Sequence, residues 1–195
     1  MSKKYLIYLS IIMIVGLSGT GVLWYLTPPP AEIPSSYVSQ LDSPVRGLSV
    51  QEVDDLLNGR GAGYARSAEL NSYPGPRHVL DMQQTLDLSP EIVSQVETIF
   101  NYMEASAQKL GREIVQGEAE LSQGFAERTL SETEMQVQVE ELARLYGQLR
   151  ATHLQAHFQT RPLLSAQQID VYNFLRGYVS DAASTKSDGH QHVAH

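Results

Sequence analysis

The sequence contains no cysteine. That excludes disulfides, thiol chemistry, thiolate metal sites and a lipid anchor on cysteine, so any metal must be held by His, Met, Asp or Glu. Acidic residues are missing from the first 26 positions, where Lys3 and Lys4 are the only charged side chains and Tyr5 to Leu26 form an uncharged run of 22 residues. No stretch alternates apolar and polar residues convincingly at period two, which argues against a sheet and predicts an all-α chain. Catalytic patterns are missing too: there is no Ser-His-Asp arrangement and no nucleophile elbow. Gly59-x-Gly61-x-Gly63 has the wrong spacing for a dinucleotide fingerprint and no strand before it, so it reads as a turn. The chain is expected not to be an enzyme.

What is present at the N-terminus fits a membrane anchor. At about 1.5 Å per residue the uncharged run would span about 33 Å, slightly more than a bilayer's hydrocarbon core. Trp24 and Tyr25 end it, where amphipathic rings favour the interface. The paired lysines keep the N-terminus cytoplasmic and send the remainder across. A cleaved signal peptide is the rival, but the run is long for one. Gly19-Thr20-Gly21, with apolar Val22 to Leu26 still to come, makes a poor cleavage site. The expected organisation is an anchor over 1–26, a Pro/Ser-rich stalk over 27–47, a helical domain over 48–178 and a disordered tail over 179–195. The part after Leu26 carries all 22 acidic residues and 12 of the 14 basic ones, a formal charge of −10. Such a balance argues against nucleic acid as a partner.

Within the domain, the spacing predicts a short helix over Val50 to Leu57 and a turn or two of helix over Tyr64 to Leu70. Tyr73-Pro74-Gly75-Pro76 then breaks the chain, and Pro76 opens a helix to about Leu86. Ser89-Pro90-Glu91 starts a long helix over 90–126, with Ile92, Val96, Ile99, Met103, Ala107, Leu110 and Ile114 on one face and Leu121 and Phe125 extending it. Ser131-Glu132-Thr133-Glu134 is a capping box opening a second long helix, over 131–159, which Arg161-Pro162 stops. Its stripe runs Met135, Val139, Leu142, Tyr146, Leu149, His153, His157. Ser165-Ala166-Gln167-Gln168 caps a last helix holding Ile169, Tyr172, Phe174 and Leu175. Two long helices joined by a few residues must lie antiparallel, with His153 facing Met103 and His157 facing Ile99. A lone hairpin cannot bury both flanks of its stripes, so the short helices and a second protomer, in a homodimer, are expected to complete the core.

The histidines carry the chemistry. His153 and His157 lie four residues apart on one helix face, and neutral imidazole in a half-buried seam is a good ligand. His78 follows Pro76 with Met82 four residues on, which would supply nitrogen and thioether donors. Glu69 offers an oxygen ligand or an acceptor for a histidine N–H. The expected site is therefore His78, His153 and His157 with Met82 or Glu69 as a further group, for nickel, copper, cobalt or zinc. The alternative is that His153, His157 and Met82 only pack and Glu69 is solvated. A zincin-type hydrolytic site is excluded, because Leu154 stands where the catalytic glutamate would follow the first histidine. His190, His192 and His195 belong to the tail, which gives poor preorganisation.

Leu164-Ser165-Ala166-Gln167-Gln168 matches the repeated Leu-Thr-x-x-Gln signature of the Spy/CpxP-like periplasmic proteins with Ser for Thr. Leu88-Ser89-Pro90-Glu91-Ile92 keeps its start and loses the Gln. Two long helices lie between these motifs. Ala68-Glu69-Leu70-Asn71-x-Tyr73-Pro74-Gly75-Pro76-x-His78-Val79-Leu80 and Leu149-Arg150-x-x-His153-Leu154-x-Ala156-His157 resemble segments of the membrane-tethered members. Over about residues 48–178 the chain thus resembles that family, in particular its heavy-metal resistance branch typified by CnrX and ZraP. The resemblance implies a hooked helical hairpin that dimerises in the periplasm, tethered to the inner membrane through residues 5–26. It implies either metal binding that reports to a membrane signalling partner, with His, Glu and Met ligands from different helices, or a metal-independent chaperone that shields unfolded clients.

Overall fold

A computed structural model describes residues 33–179; the expected membrane anchor over 5–26 and the tail from residue 180 on, with His190, His192 and His195, lie outside the described residues. The unit from Ser35 onward is all-helical, with no strand among the described residues. No helix among them is long and apolar enough to cross a membrane.

Among the described residues six α-helices follow in order: α1 Val50–Leu57, α2 Arg66–Glu69, α3 Pro76–Asp81, α4 Pro90–Glu127, α5 Glu132–Thr160 and α6 Ala166–Leu175. Serine caps define four of the starts. Ser49, Ser131 and Ser165 each form a reciprocal capping box with Glu52, Glu134 and Gln168, and Ser89 caps α4 ahead of Pro90. Gln168 does more than cap: its Nε2 donates to the Leu86 carbonyl at 3.0 Å, tying the start of α6 to the turn before α4. α4 ends at Arg128 in the left-handed region (φ 57°), and a short link reverses the chain into α5 to make the antiparallel hairpin.

α3 stops at Asp81 rather than near Leu86. There the Met82 N–H reaches back to both His78 and Val79, Gln83 bonds Leu80, and Asp87 takes φ 48°, so the helix tightens into turns.

Two hydrophobic clusters hold the unit together. In the first, Val45, Leu48, Val53 and Leu56 cover Ala107 and Ile114 of α4 and Leu142, Leu145 and Leu149 of α5. Val45, which the sequence reading placed in the stalk, is thus a core residue, only 6% exposed. α1 approaches α4 so closely that a Cβ on Gly111 would lie 1.9 Å from the Leu56 carbonyl oxygen. In the second cluster, Val79, Leu86, Val96, Leu164, Ile169 and Tyr172 join α3 and α6 to the start of α4.

The stripes are rotated and shortened relative to the sequence reading. The buried face of α5 runs Leu142, Leu145, Leu149, His153, Ala156, Thr160. Val139 and Phe125, at the turn end of the hairpin, are 44% and 62% exposed. The fully buried cluster that α1 completes ends near Ile114 and Leu142, and beyond it Ala119 and Leu121 are only partly buried.

Candidate functional site

The five residues singled out as metal ligands do not converge. Glu69, His78 and His157 line one open cleft of about 350 Å³, which Arg66, Arg176 and Tyr178 also border. Met82 packs against the second hydrophobic cluster, its thioether spent on packing. His153 is 2% exposed, its ring stacked on Tyr64 with centroids 5.8 Å apart and planes 7° from parallel. Among the described residues, no three His, Asp or Glu side chains stand together as a ready metal-holding group.

Local backbone chemistry puts Glu69 and His157 side by side. Ser72, at φ 61°, turns the chain after α2, and the Tyr73 N–H returns to the Ala68 carbonyl. Tyr73 then offers its carbonyl oxygen to His157 Nδ1 at 2.7 Å. A carbonyl only accepts, so the neutral ring carries its proton on Nδ1 and leaves the Nε2 lone pair free. Glu69 Oε2 lies 3.5 Å from the same Nδ1. Gly75 makes this fit possible, because a Cβ there would meet His157 Cε1 at 2.7 Å and Nε2 at 2.9 Å. His157 therefore turns to the α2–α3 connection and not to Ile99; Ile99 and Met103 border a small groove with Thr152 and Ala156 instead. Ala156, 3% exposed, takes the buried position on α5 next to His157.

Glu69 is the hub. Its Oε1 accepts from Tyr172 at 2.5 Å, Tyr178 at 3.0 Å and Arg176 Nε at 3.3 Å, while its buried Oε2 has no hydrogen-bond partner. The Tyr172 hydroxyl in turn takes the Gly75 N–H at 3.4 Å. Sequence reading missed Tyr172, Arg176 and Tyr178: Tyr172 was counted as an apolar residue of α6, and no local spacing links it to a glutamate 103 residues away. The Pro74-Gly75-Pro76 triplet did carry a signal, a glycine between two prolines where another group comes close.

Electrostatics separates the histidines. Burial pushes His153 down to about 4, helped by His157, so it is neutral at ordinary pH. His78 is also lowered, first by partial burial and next by the Arg176 cation. Tyr172 is raised, by burial and by donating to the Glu69 carboxylate. The lowered His78 imidazole favours its neutral form, whose lone pair is what a metal needs. No family model, no curated protein and no solved structure matches this chain.

Proposed function

We propose that the chain is a membrane-tethered periplasmic protein of the Spy/CpxP-like heavy-metal resistance type, which binds a divalent transition metal in the cleft between α2, α3 and α5. One observation carries the reading: three of the five expected ligand residues, from three different helices, border a single cleft. His157 Nε2, the His78 imidazole and the Glu69 carboxylate form a nitrogen and oxygen donor set suited to nickel, cobalt, zinc or copper. When bound, such an ion would supply a positive centre that cross-links helices. The Glu69 carboxylate also stands 3.5 Å from His157 Nδ1, beside the Tyr73 carbonyl that accepts its N–H and so fixes the tautomer. Because the three side chains are not yet grouped, binding requires α3 to draw toward α5. That shift is the conformational change a membrane partner would read.

The test is calorimetric titration of the full-length, metal-free protein with each ion. One saturable site is expected, abolished in His157→Ala, weakened at least tenfold in His78→Ala, and unchanged when residues 180–195 are removed. Binding that survives both histidine variants, or no binding at all, overturns the reading. For the topology, alkaline phosphatase fused after Val179 should be active in cells; an inactive fusion would place this end in the cytoplasm.

A second reading has its own observation. At the turn end of the hairpin Phe125, Val137 and Val139 are exposed, and a cleft of about 360 Å³ there is bordered by Val137, Leu142 and Leu145 with Glu113, Glu120 and Glu141 around them. An apolar groove with an acidic rim suits a chaperone that holds unfolded basic clients. Suppression of aggregation by metal-free protein, lost in Val137→Asp, would favour it.

A further inference from the structure

The cleft bordered by His157 holds a second, opposite kind of chemistry on its outer edge. The loop Gly61–Gly63 crosses that edge with Ala62 at φ 39° and Gly63 at φ 82°. The N–H groups of Gly61, Ala62 and Gly63 donate to no backbone carbonyl among the described residues. Successive free amides in a left-handed turn make a concave surface of partial positive charge. Arg66 stands beside this loop, its Nη2 2.9 Å from where a Gly63 Cβ would be. It makes no ion pair among the described residues. Arg176 borders the cleft as well, with Nε committed to Glu69 and Nη2 to the Tyr178 hydroxyl at 3.3 Å. Among the described residues one carboxylate, Glu69, lines the cleft, and its Oε1 already accepts three donors. Asp54 and Asp55 of α1 pair with Arg60, and Asp81 of α3 stands 3.7 Å from His78 Nδ1. With Glu69 paired to Arg176, the cleft keeps the one positive charge of Arg66, beside three backbone amides that have no backbone acceptor, in a chain of formal charge −8.

We propose that the Gly61–Gly63 loop, Arg66 and Arg176 form a binding site for a small oxyanion carrying two or more negative charges. A planar guanidinium matches the paired oxygens of a phosphate or carboxylate. At about 350 Å³ the cleft has room for phosphate or a short dicarboxylate. The proposal does not rest on metal binding, since none of Gly61, Ala62, Gly63, Arg66 and Arg176 is a metal ligand.

The experiment is calorimetric titration of full-length protein, freed of metal on a chelating resin, with inorganic phosphate and separately with succinate. Saturable one-to-one binding of at least one of them is expected, and which of the two binds tells whether compact phosphate or spaced carboxylates fit. Arg66→Gln should weaken binding about tenfold or more, the loss of one charge-assisted bidentate contact. Arg77→Gln, an exposed arginine on α3 away from the loop, should leave it unchanged. Absence of saturable binding for both anions overturns the proposal. So does equal affinity in wild type and Arg66→Gln, or equal loss in both arginine variants, which would mark a general charge effect. Because no metal is present, failure here leaves the metal reading untouched, and the metal titration can fail with this one succeeding.

Discussion

The Tyr172 hydroxyl donates to Glu69 Oε1 across 2.5 Å, joining α6 to the end of α2 over 103 residues of sequence. Tyr172 is fully buried, and the same oxygen accepts the Gly75 N–H. One hydroxyl thus satisfies a carboxylate and an amide at the place where three chain segments meet. Tyr172→Phe keeps the ring's packing and removes only this link. It should cost about 1–3 kcal/mol, because the amide and the carboxylate lose a partner out of reach of bulk water. Urea denaturation measures it, and a loss below about 0.5 kcal/mol would mean that water replaces the hydroxyl freely.

His153 predicts the pH dependence of stability. Its folded-state pKa is depressed to about 4, against about 6.5 for an unperturbed histidine. Between those values the unfolded chain binds the proton that the folded chain refuses. Stability is therefore complete above about pH 6.5 and falls as pH drops toward 4, by up to a figure on the order of 3 kcal/mol. His78, also lowered, adds to the same trend. Denaturation midpoints at pH 7.5, 6 and 5 check this. His153→Phe, which keeps a ring against Tyr64, should flatten much of the slope; an unchanged slope would remove His153 as its source.

Two glycines in the long helices should respond oppositely to alanine. A Cβ on Gly111 would strike the Leu56 backbone at 1.9 Å, so Gly111→Ala forces α1 off the hairpin and should cost at least about 1–3 kcal/mol. Gly147 has no atom within 4 Å of its would-be Cβ, and Gly147→Ala should stabilise α5 by about 0.5–1 kcal/mol. Thermal melts of both variants give the comparison directly.

Along α5, burial sets the cost of truncation. Leu149 is 1% exposed inside the first cluster, and Leu149→Ala should lose about 2–5 kcal/mol. Val139 is 44% exposed, so Val139→Ala should lose less than about 0.5 kcal/mol in the monomer. If Val139→Ala costs as much as Leu149→Ala, the turn end of the hairpin is covered in solution, and sedimentation would then show the second protomer.

Gly75→Ala isolates the local geometry of His157. The backbone at φ −80° and ψ 141° accepts alanine, so any effect comes from the Cβ meeting the imidazole at 2.7–2.9 Å. The ring should leave the Tyr73 carbonyl, seen as a changed His157 resonance by NMR, and metal affinity should fall with it. A native-like His157 signal would show that the loop yields instead.

The helices were legible in the sequence because the forces that start and stop them are local. Ser89-Pro90, the Ser131–Glu134 box and Ser165–Gln168 act within four residues, and the periodic apolar faces name the two helices that must pair. Which residue of a face reaches the middle of the seam is not local. Leu145 rather than Val139 is buried because α1, with Val45 and Leu48, covers only part of the hairpin, and His157 turns instead to the Tyr73 carbonyl. The site divides in the same way. Sequence alone marked Glu69, His78 and His157 as donors by residue type and position. Tertiary structure decided that they share a cleft, that Met82 and His153 are spent on packing, and that Tyr172, Arg176 and Tyr178 converge on Glu69. A donor's type is written in one residue, whereas its neighbours are chosen by the fold that brings distant segments within hydrogen-bond reach.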